Sequence, residues 1–336
     1  MRKALVRCVA CLILGVTLTA TAFAEDLEVV RIALDWTPNT NHTGIFVAQE
    51  LGFFEQEGLR VVTLQPTETA SIPLVAAGRS EFGVSMQEYV TMARAQGVPV
   101  VSIATLFQHN TSGFAAPRDR EIASPRDFEG MRYAGWGSDL ESVMIRTVME
   151  VAGADFDTVS MINMGMLDFT TAVRRDLADF YWVFYGWQGI HAELQGIEFD
   201  LLPLPDLAEV LDYYTPVIVT RERLITQEPE TVRGFLSALA RGHTYAAKHP
   251  TEAADILLAH APELDRDLVH ASQEWIAAET IDDIETWGFQ EEIVWVRFAD
   301  WALANGLIEQ AIDATAAYTN AFLPLSDPPT TEETAD

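Results

Sequence analysis

Val29-Val-Arg-Ile-Ala-Leu34 runs directly into Asp35-Trp-Thr-Pro-Asn-Thr-Asn-His42 and then into Gly44-Ile-Phe-Val-Ala-Gln-Glu50. The first segment has the pattern of a buried strand, and the last reads as a helix. A polar loop at the carboxyl end of a strand, opening into a helix N-terminus, is where open α/β sheets hold their ligands. Pro38 and Asn39 are also ordinary turn formers, so a plain structural turn is the alternative. A turn alone does not need Trp36. The loop is suited to holding something flat.

Outward from this loop, short apolar runs alternate with helical periodicity, the signature of an α/β architecture. Strands are expected at Val29–Leu34, Leu59–Leu64, Phe82–Ser85 and Val100–Leu106. Helices are expected at Gly44–Glu50, Ile72–Ala77 and Gln87–Ala95, with Gly52, Gly78 and Gly97 as terminators. A second series follows Gln108–Ser112: strands at Met131–Ala134, Val159–Met164, Phe180–Tyr185 and Phe199–Leu202. Its helices are Leu140–Ala152, opened by the capping box Ser138-Asp-Leu-Glu141, then Thr170–Arg175 and Ile190–Leu194. Strand character returns at Val217–Val219, before a helical remainder: Pro229–Lys248, Glu252–His260, Asp265–Glu279 and Gln290–Ala304. Two α/β units and a helical return imply two lobes. Lobe 1 is expected at 25–113 plus 216–323 and lobe 2 at 114–215. The crossings are expected near Ser112–Pro117 and Tyr214–Val217, with the terminal helices completing lobe 1.

The ends bound the compartment. Arg2, Lys3 and Arg7, an apolar run from Val9 to Ala20 and Ala22-Phe-Ala24 give the pattern of a cleaved secretory signal over 1–24. The tail 324–336, rich in proline, threonine and acid, is expected to be disordered. Both cysteines, Cys8 and Cys11, lie in the signal, so a mature chain has neither disulfide nor thiol nucleophile. With 21 basic and 50 acidic residues the net charge is −29, which disfavours nucleic acid as a partner. A monomer is the default.

Chemistry is mostly excluded. The seven histidines form no metal-binding spacing, and no cofactor fingerprint or Walker loop is present. Gly135-Trp-Gly-Ser138 places Trp136, Ser138 and free backbone N–H groups at a helix start, although a simple cap accounts for Ser138 and Glu141 equally well. Aromatic clustering is the stronger signal: Phe180-Tyr-Trp-Val-Phe-Tyr-Gly-Trp-Gln188. Alternation sends Tyr181, Val183 and Tyr185 to one face and Phe180, Trp182 and Phe184 to the other, and a covered sheet buries both. Tyr185, Trp187 and Gln188 stand at the strand's end. Trp36, Trp187 and either Tyr213 or Tyr214 are expected to sandwich a planar ring, with Asn39, Asn41, His42, Gln188 and Glu141 reading its edge. Gln87, at a helix start, completes the candidate set. No catalytic group is assigned, since Ser138 has no evident base; a secreted hydrolase is the alternative class.

Leu34-Asp-Trp-Thr-Pro-Asn-Thr-Asn-His-Thr-Gly-Ile-Phe-Val-Ala48 and Gly52-Phe-Phe-Glu-Gln-Glu-Gly58-Leu resemble the thiamine-pyrimidine-precursor binding proteins of bacterial ABC importers. That family also contains a yeast pyrimidine precursor synthase. The resemblance covers roughly 29–322. It implies a two-lobed periplasmic "Venus flytrap" of type II that carries formylaminopyrimidine or hydroxymethylpyrimidine to an inner-membrane permease. By motif position, Trp36, Asn39 and His42 carry over from the first lobe's signature and Tyr185, Trp187 and Gln188 from the second's. There the family often reads Trp-Glu-Gly-Ile where this chain has Trp187-Gln-Gly-Ile190, so another planar heterocycle such as a flavin stays open. The synthase branch carries a cysteine-rich iron-binding segment near the glycine-rich turn; Gly135–Leu140 has none, which argues against synthase activity.

Overall fold

A computed structural model describes residues 27–65, 70–165, 167–280 and 287–324. The expected signal peptide 1–24 and, beyond Pro324, the tail lie outside the described residues. The first sheet contains β1 (Glu28–Ala33), β2 (Leu59–Leu64), β3 (Phe82–Ser85), β4 (Val100–Thr105) and β10 (Val217–Arg221), in the order β2-β1-β3-β10-β4. The second contains β5 (Ser112–Pro117), β6 (Arg132–Gly135), β7 (Ser160–Asn163), β8 (Phe180–Phe184) and β9 (Phe199–Pro203), in the order β7-β6-β8-β5-β9. Each sheet has a parallel trio plus one antiparallel strand in the fourth place, β10 in the first and β5 in the second. Helices cover both sheets, which is the periplasmic-binding-protein fold.

That symmetry corrects one expectation. Ser112–Pro117 is not a crossing but strand β5, paired with β8 and β9 inside the second sheet. Its small residues, Ser112, Gly113, Ala115 and Ala116, conceal it in the sequence because they lack the bulk that marks a strand. Gly113 is required there: a Cβ would sit 2.7 Å from the Leu202 carbonyl oxygen. The crossing falls before Ser112, where Asn110 accepts from the Ser112 N–H at 3.0 Å and donates to the Leu211 carbonyl at 2.9 Å. The outgoing and returning chains are thus stitched side by side.

Burial follows the alternation in β8. Phe180, Trp182 and Phe184 join one apolar cluster of the second lobe with Phe114, Phe128 and Met144, while Tyr181, Val183 and Tyr185 join the cluster on the other face. In the first lobe, Val30, Ile32, Phe82 and Val84 pack under the helix Pro229–Lys248, whose Phe235 stacks on Phe82 with centroids 3.7 Å apart. The second correction concerns the helix Glu292–Ala304. It does not simply complete lobe 1, because it carries two apolar stripes at i, i+4 spacing. Trp295 and Ala299 enter a first-lobe cluster, whereas Phe298 and Ala302 enter the second-lobe cluster, where Phe298 lies 4.8 Å from Tyr213. Trp301 Nε1 also donates to Thr147 Oγ1 at 3.1 Å, and Arg297 pairs with Glu209.

Candidate functional site

The carboxyl ends of β1, β3, β6 and β8 converge on a cleft of about 590 Å³ between the two sheets. Of the thirteen residues selected from the sequence, Trp36, Asn39, Asn41, Trp136, Ser138, Trp187 and Gln188 line it. Trp36 is 40% exposed to it, and Tyr89, which the sequence reading passed over, is 49% exposed. Trp182 and Phe184 continue the aromatic wall; Trp136 meets Trp182 edge-on at 5.1 Å.

The first-lobe loop is held by its own side chains. Asn39 Oδ1 accepts from the Asn41 N–H at 2.9 Å and its amide donates to the Thr37 carbonyl at 3.2 Å. His42 Nδ1 accepts from the Asn39 N–H at 3.2 Å, so the ring proton sits on Nε2 and is donated to Asp35 Oδ1 at 2.8 Å. His42 is wholly buried. Expected as a reader of the ligand edge, it lies behind the cleft and aims Asp35, whose carboxylate lines the cleft. The sequence reading missed Asp35, although its position at the end of β1 was the available signal.

Glu141, also expected as an edge reader, does not line the cleft. It is buried and accepts from the Tyr133 hydroxyl at 2.6 Å, the Trp136 N–H at 2.9 Å, and the Ser138 N–H and Oγ at 2.7 and 3.1 Å. These bonds shape the turn that presents Trp136. Gly135 has to be glycine, because a Cβ would fall 1.8 Å from Glu141 Oε1.

Four other candidates lie away from the cleft. Gln87 is buried and accepts from the Tyr214 N–H at 2.8 Å while donating to the Val294 carbonyl at 3.2 Å, so it ties the returning crossing to the last helix. Tyr213 is buried against Phe298 and Met144, and Tyr214 spends its hydroxyl on the Glu291 N–H at 2.8 Å. Their place at the crossing is taken by Thr215 and Pro216, which do line the cleft. Tyr185 is not the last residue of a strand: it begins a π-turn, Tyr185–Gly189, that rotates its ring onto Trp275 at 5.2 Å and turns Trp187 and Gln188 toward the cleft. Trp275 approaches so closely that a Cβ on Gly186 would lie 2.6 Å from its ring.

The π-turn also makes a contact between the lobes. Ser272, on the helix Arg266–Thr280, donates to the Gly186 carbonyl and is itself met by the Thr40 hydroxyl. A relay of two hydroxyls therefore joins the first-lobe loop to the second-lobe turn. Ser272→Ala removes it while keeping the packing; the expected result is a ligand-free protein that is more expanded in small-angle scattering and about 1 kcal/mol less stable.

Charge in the cleft has one sign. Among the described residues lining it there is no arginine, lysine or histidine, whereas Asp35 and Asp139 are present. Desolvation, and then the carboxylates of Glu88, Glu141 and Asp35, push the Tyr89 phenol up to about 12, so it remains a neutral donor. Gln188 is committed on one side: its Oε1 accepts from the Phe184 N–H at 2.9 Å, which leaves the NH₂ as the group it offers. The cleft therefore presents aromatic faces, a carboxylate acceptor on one lobe and an amide donor on the other. Among the described residues, no cluster of three or more His, Cys, Asp or Glu side chains could hold a metal.

The family model described as NMT1/THI5 like matches residues 39–253, and the chain belongs to that family. It is 26% identical over 308 residues to the formylaminopyrimidine-binding protein of Halalkalibacterium halodurans, covering 88% of this chain and 91% of the relative. It is 29% identical over 303 residues to the 4-amino-5-hydroxymethyl-2-methylpyrimidine phosphate synthase of Legionella pneumophila, covering 88% and 92%. Among solved structures, the periplasmic aliphatic sulphonate binding protein SsuA from Escherichia coli superposes with a TM-score of 0.68 at 13% identity, covering 86% of this chain and 91% of that one. That last likeness concerns the fold alone.

Proposed function

We propose that this protein is the exported solute-binding component of an ABC importer, and that it carries a thiamine pyrimidine precursor, formylaminopyrimidine or hydroxymethylpyrimidine, to a membrane permease. The observation that carries the reading is the pairing of Asp35 and Gln188 across an aromatic cleft. A 4-aminopyrimidine offers an amino donor beside a ring-nitrogen acceptor. Asp35 takes the amino hydrogen and the Gln188 NH₂ meets the ring nitrogen, while the tryptophans cover the ring faces. The likeness to the formylaminopyrimidine-binding protein of H. halodurans supports the same ligand class.

The cleft also selects by charge. A sulfonate would lose its water there without gaining a cationic partner, and it would face carboxylates. Carriage rather than catalysis fits Ser138: its hydroxyl is turned onto Glu141, which also accepts from three further donors and so serves to hold the turn. The only cysteines are Cys8 and Cys11, outside this turn, which supports carriage over the synthase activity that the resemblance ties to a cysteine-rich segment here.

Titration calorimetry with formylaminopyrimidine and an arylsulfonate of similar size tests the reading. Saturable binding of the pyrimidine and none of the sulfonate is expected. Asp35→Asn, which keeps an oxygen for His42, should weaken the pyrimidine by roughly ten- to a hundredfold, as for loss of a charge-assisted bond. No heat from the pyrimidine, or tight binding of the sulfonate, rejects the proposal.

A further inference from the structure

Behind the cleft lies a second, much smaller cavity of about 20 Å³, which is room for one water and little else. Four elements meet around it: the helix Thr43–Glu50, the helix Pro229–Lys248, the helix Arg266–Thr280, and Trp287. Each brings a buried polar atom that no group among the described residues satisfies, namely Thr43 Oγ1, His243 Nε2, Gln273 Oε1 and Trp287 Nε1. Four such atoms around one small space would be costly if left unpaired, each on the order of 1–3 kcal/mol.

We propose that this cavity is an internal water site, in which one water molecule joins Thr43, His243, Gln273 and Trp287. The donor and acceptor count fits a tetrahedral water. The Trp287 N–H and the Thr43 hydroxyl donate to it, and its two hydrogens go to Gln273 Oε1 and His243 Nε2. Gln273 is oriented for this, since its NH₂ points to the Ala246 carbonyl at 3.4 Å. His243 is held neutral, its pKa lowered to about 3 by burial and then by His42, so its ring can accept. An indole N–H on the wall disfavours a cation, and the amide oxygen and neutral imidazole disfavour an anion. Asn41 lines both this cavity and the cleft, so the water braces the ligand loop from behind.

The test is a high-resolution crystal structure of the full chain, together with a double-mutant cycle. Expected is a density peak within hydrogen-bond reach of all four atoms, giving no anomalous signal after a bromide soak. Thr43 and Gln273 meet only through the water, so Thr43→Val and Gln273→Leu should each lower Tm by a few degrees, and together by clearly less than the sum. Additive shifts, a halide in the cavity, or density showing the four groups paired with one another would overturn the assignment.

Discussion

Trp36→Ala is expected to weaken binding of the pyrimidine ligand by at least tenfold while moving the Tm of the ligand-free protein little. The two effects separate because 40% of Trp36 remains exposed to the cleft, so folding draws only part of its burial from this ring. A ligand that covers on the order of 100 Å² of indole at about 25 cal/mol per Å² gains about 2.5 kcal/mol, between one and two orders of magnitude in Kd. Ring stacking adds roughly 0.5–1.5 kcal/mol. Calorimetry on the wild type and the variant measures the first effect and a thermal melt the second. Equal affinities would remove Trp36 from the site, whereas a collapse of Tm would make it a core residue.

The largest expected effect on stability is at Glu88, which is fully buried, with one carboxyl oxygen unpartnered among the described residues. Burial, reinforced by Asp35 and opposed by a backbone hydrogen bond, pushes its carboxyl up from 4.5 to about 8. Between those values the folded protein keeps a proton that the unfolded chain has released. Stability therefore falls as pH rises through this window, by up to about 1.4 kcal/mol per unit, and the dependence on this group ends above pH 8. Over the whole interval the sum is on the order of several kcal/mol. Glu88→Gln holds the side chain neutral at every pH. Compared by melts at steps from pH 5 to pH 8.5, the variant should gain steadily on the wild type as pH rises. A constant difference would mean that Glu88 does not titrate in this range. Asp127 and Asp179, whose carboxyls are held low by hydrogen bonds from Ala123 and from Arg132, act only at more acidic pH and do not confuse the comparison.

Bulk and periodicity carried most of the fold in the sequence. β1, β2, β3 and β8 announce themselves through runs of branched or aromatic residues, and the split of Phe180–Val183 between two clusters follows from the period of a strand. β5 was hidden because its role is close approach rather than bulk, and close approach selects small residues that also populate loops. At the site, residues at strand ends were legible: Trp36, Trp136, Trp187 and Gln188 reach the cleft. What the sequence did not disclose is which polar groups already have partners. His42, Glu141 and Gln87 have the chemistry to read a ligand, yet each is occupied within the protein. Tyr213 and Tyr214 were misplaced for a related reason. Aromatic rings at a crossing serve equally well to line a cleft or to anchor the crossing strand, and the last helix had already claimed one of these.

The helix Glu292–Ala304 has a mechanical consequence for how a solute gets in and out. Its two stripes clasp both halves at once, through Trp295 and Ala299 on one side and Phe298 and Ala302 on the other. Gaping like a clam held only by two connecting threads would drag Phe298 from its socket beside Tyr213 and wet it, which its burial opposes. The motion that leaves both stripes seated is a swivel, with this helix as the axle and the Ser272–Gly186 contact as the first point to part. Trp36 and Tyr89, the two exposed rings lining the cleft, are then expected to be the first that an incoming solute meets.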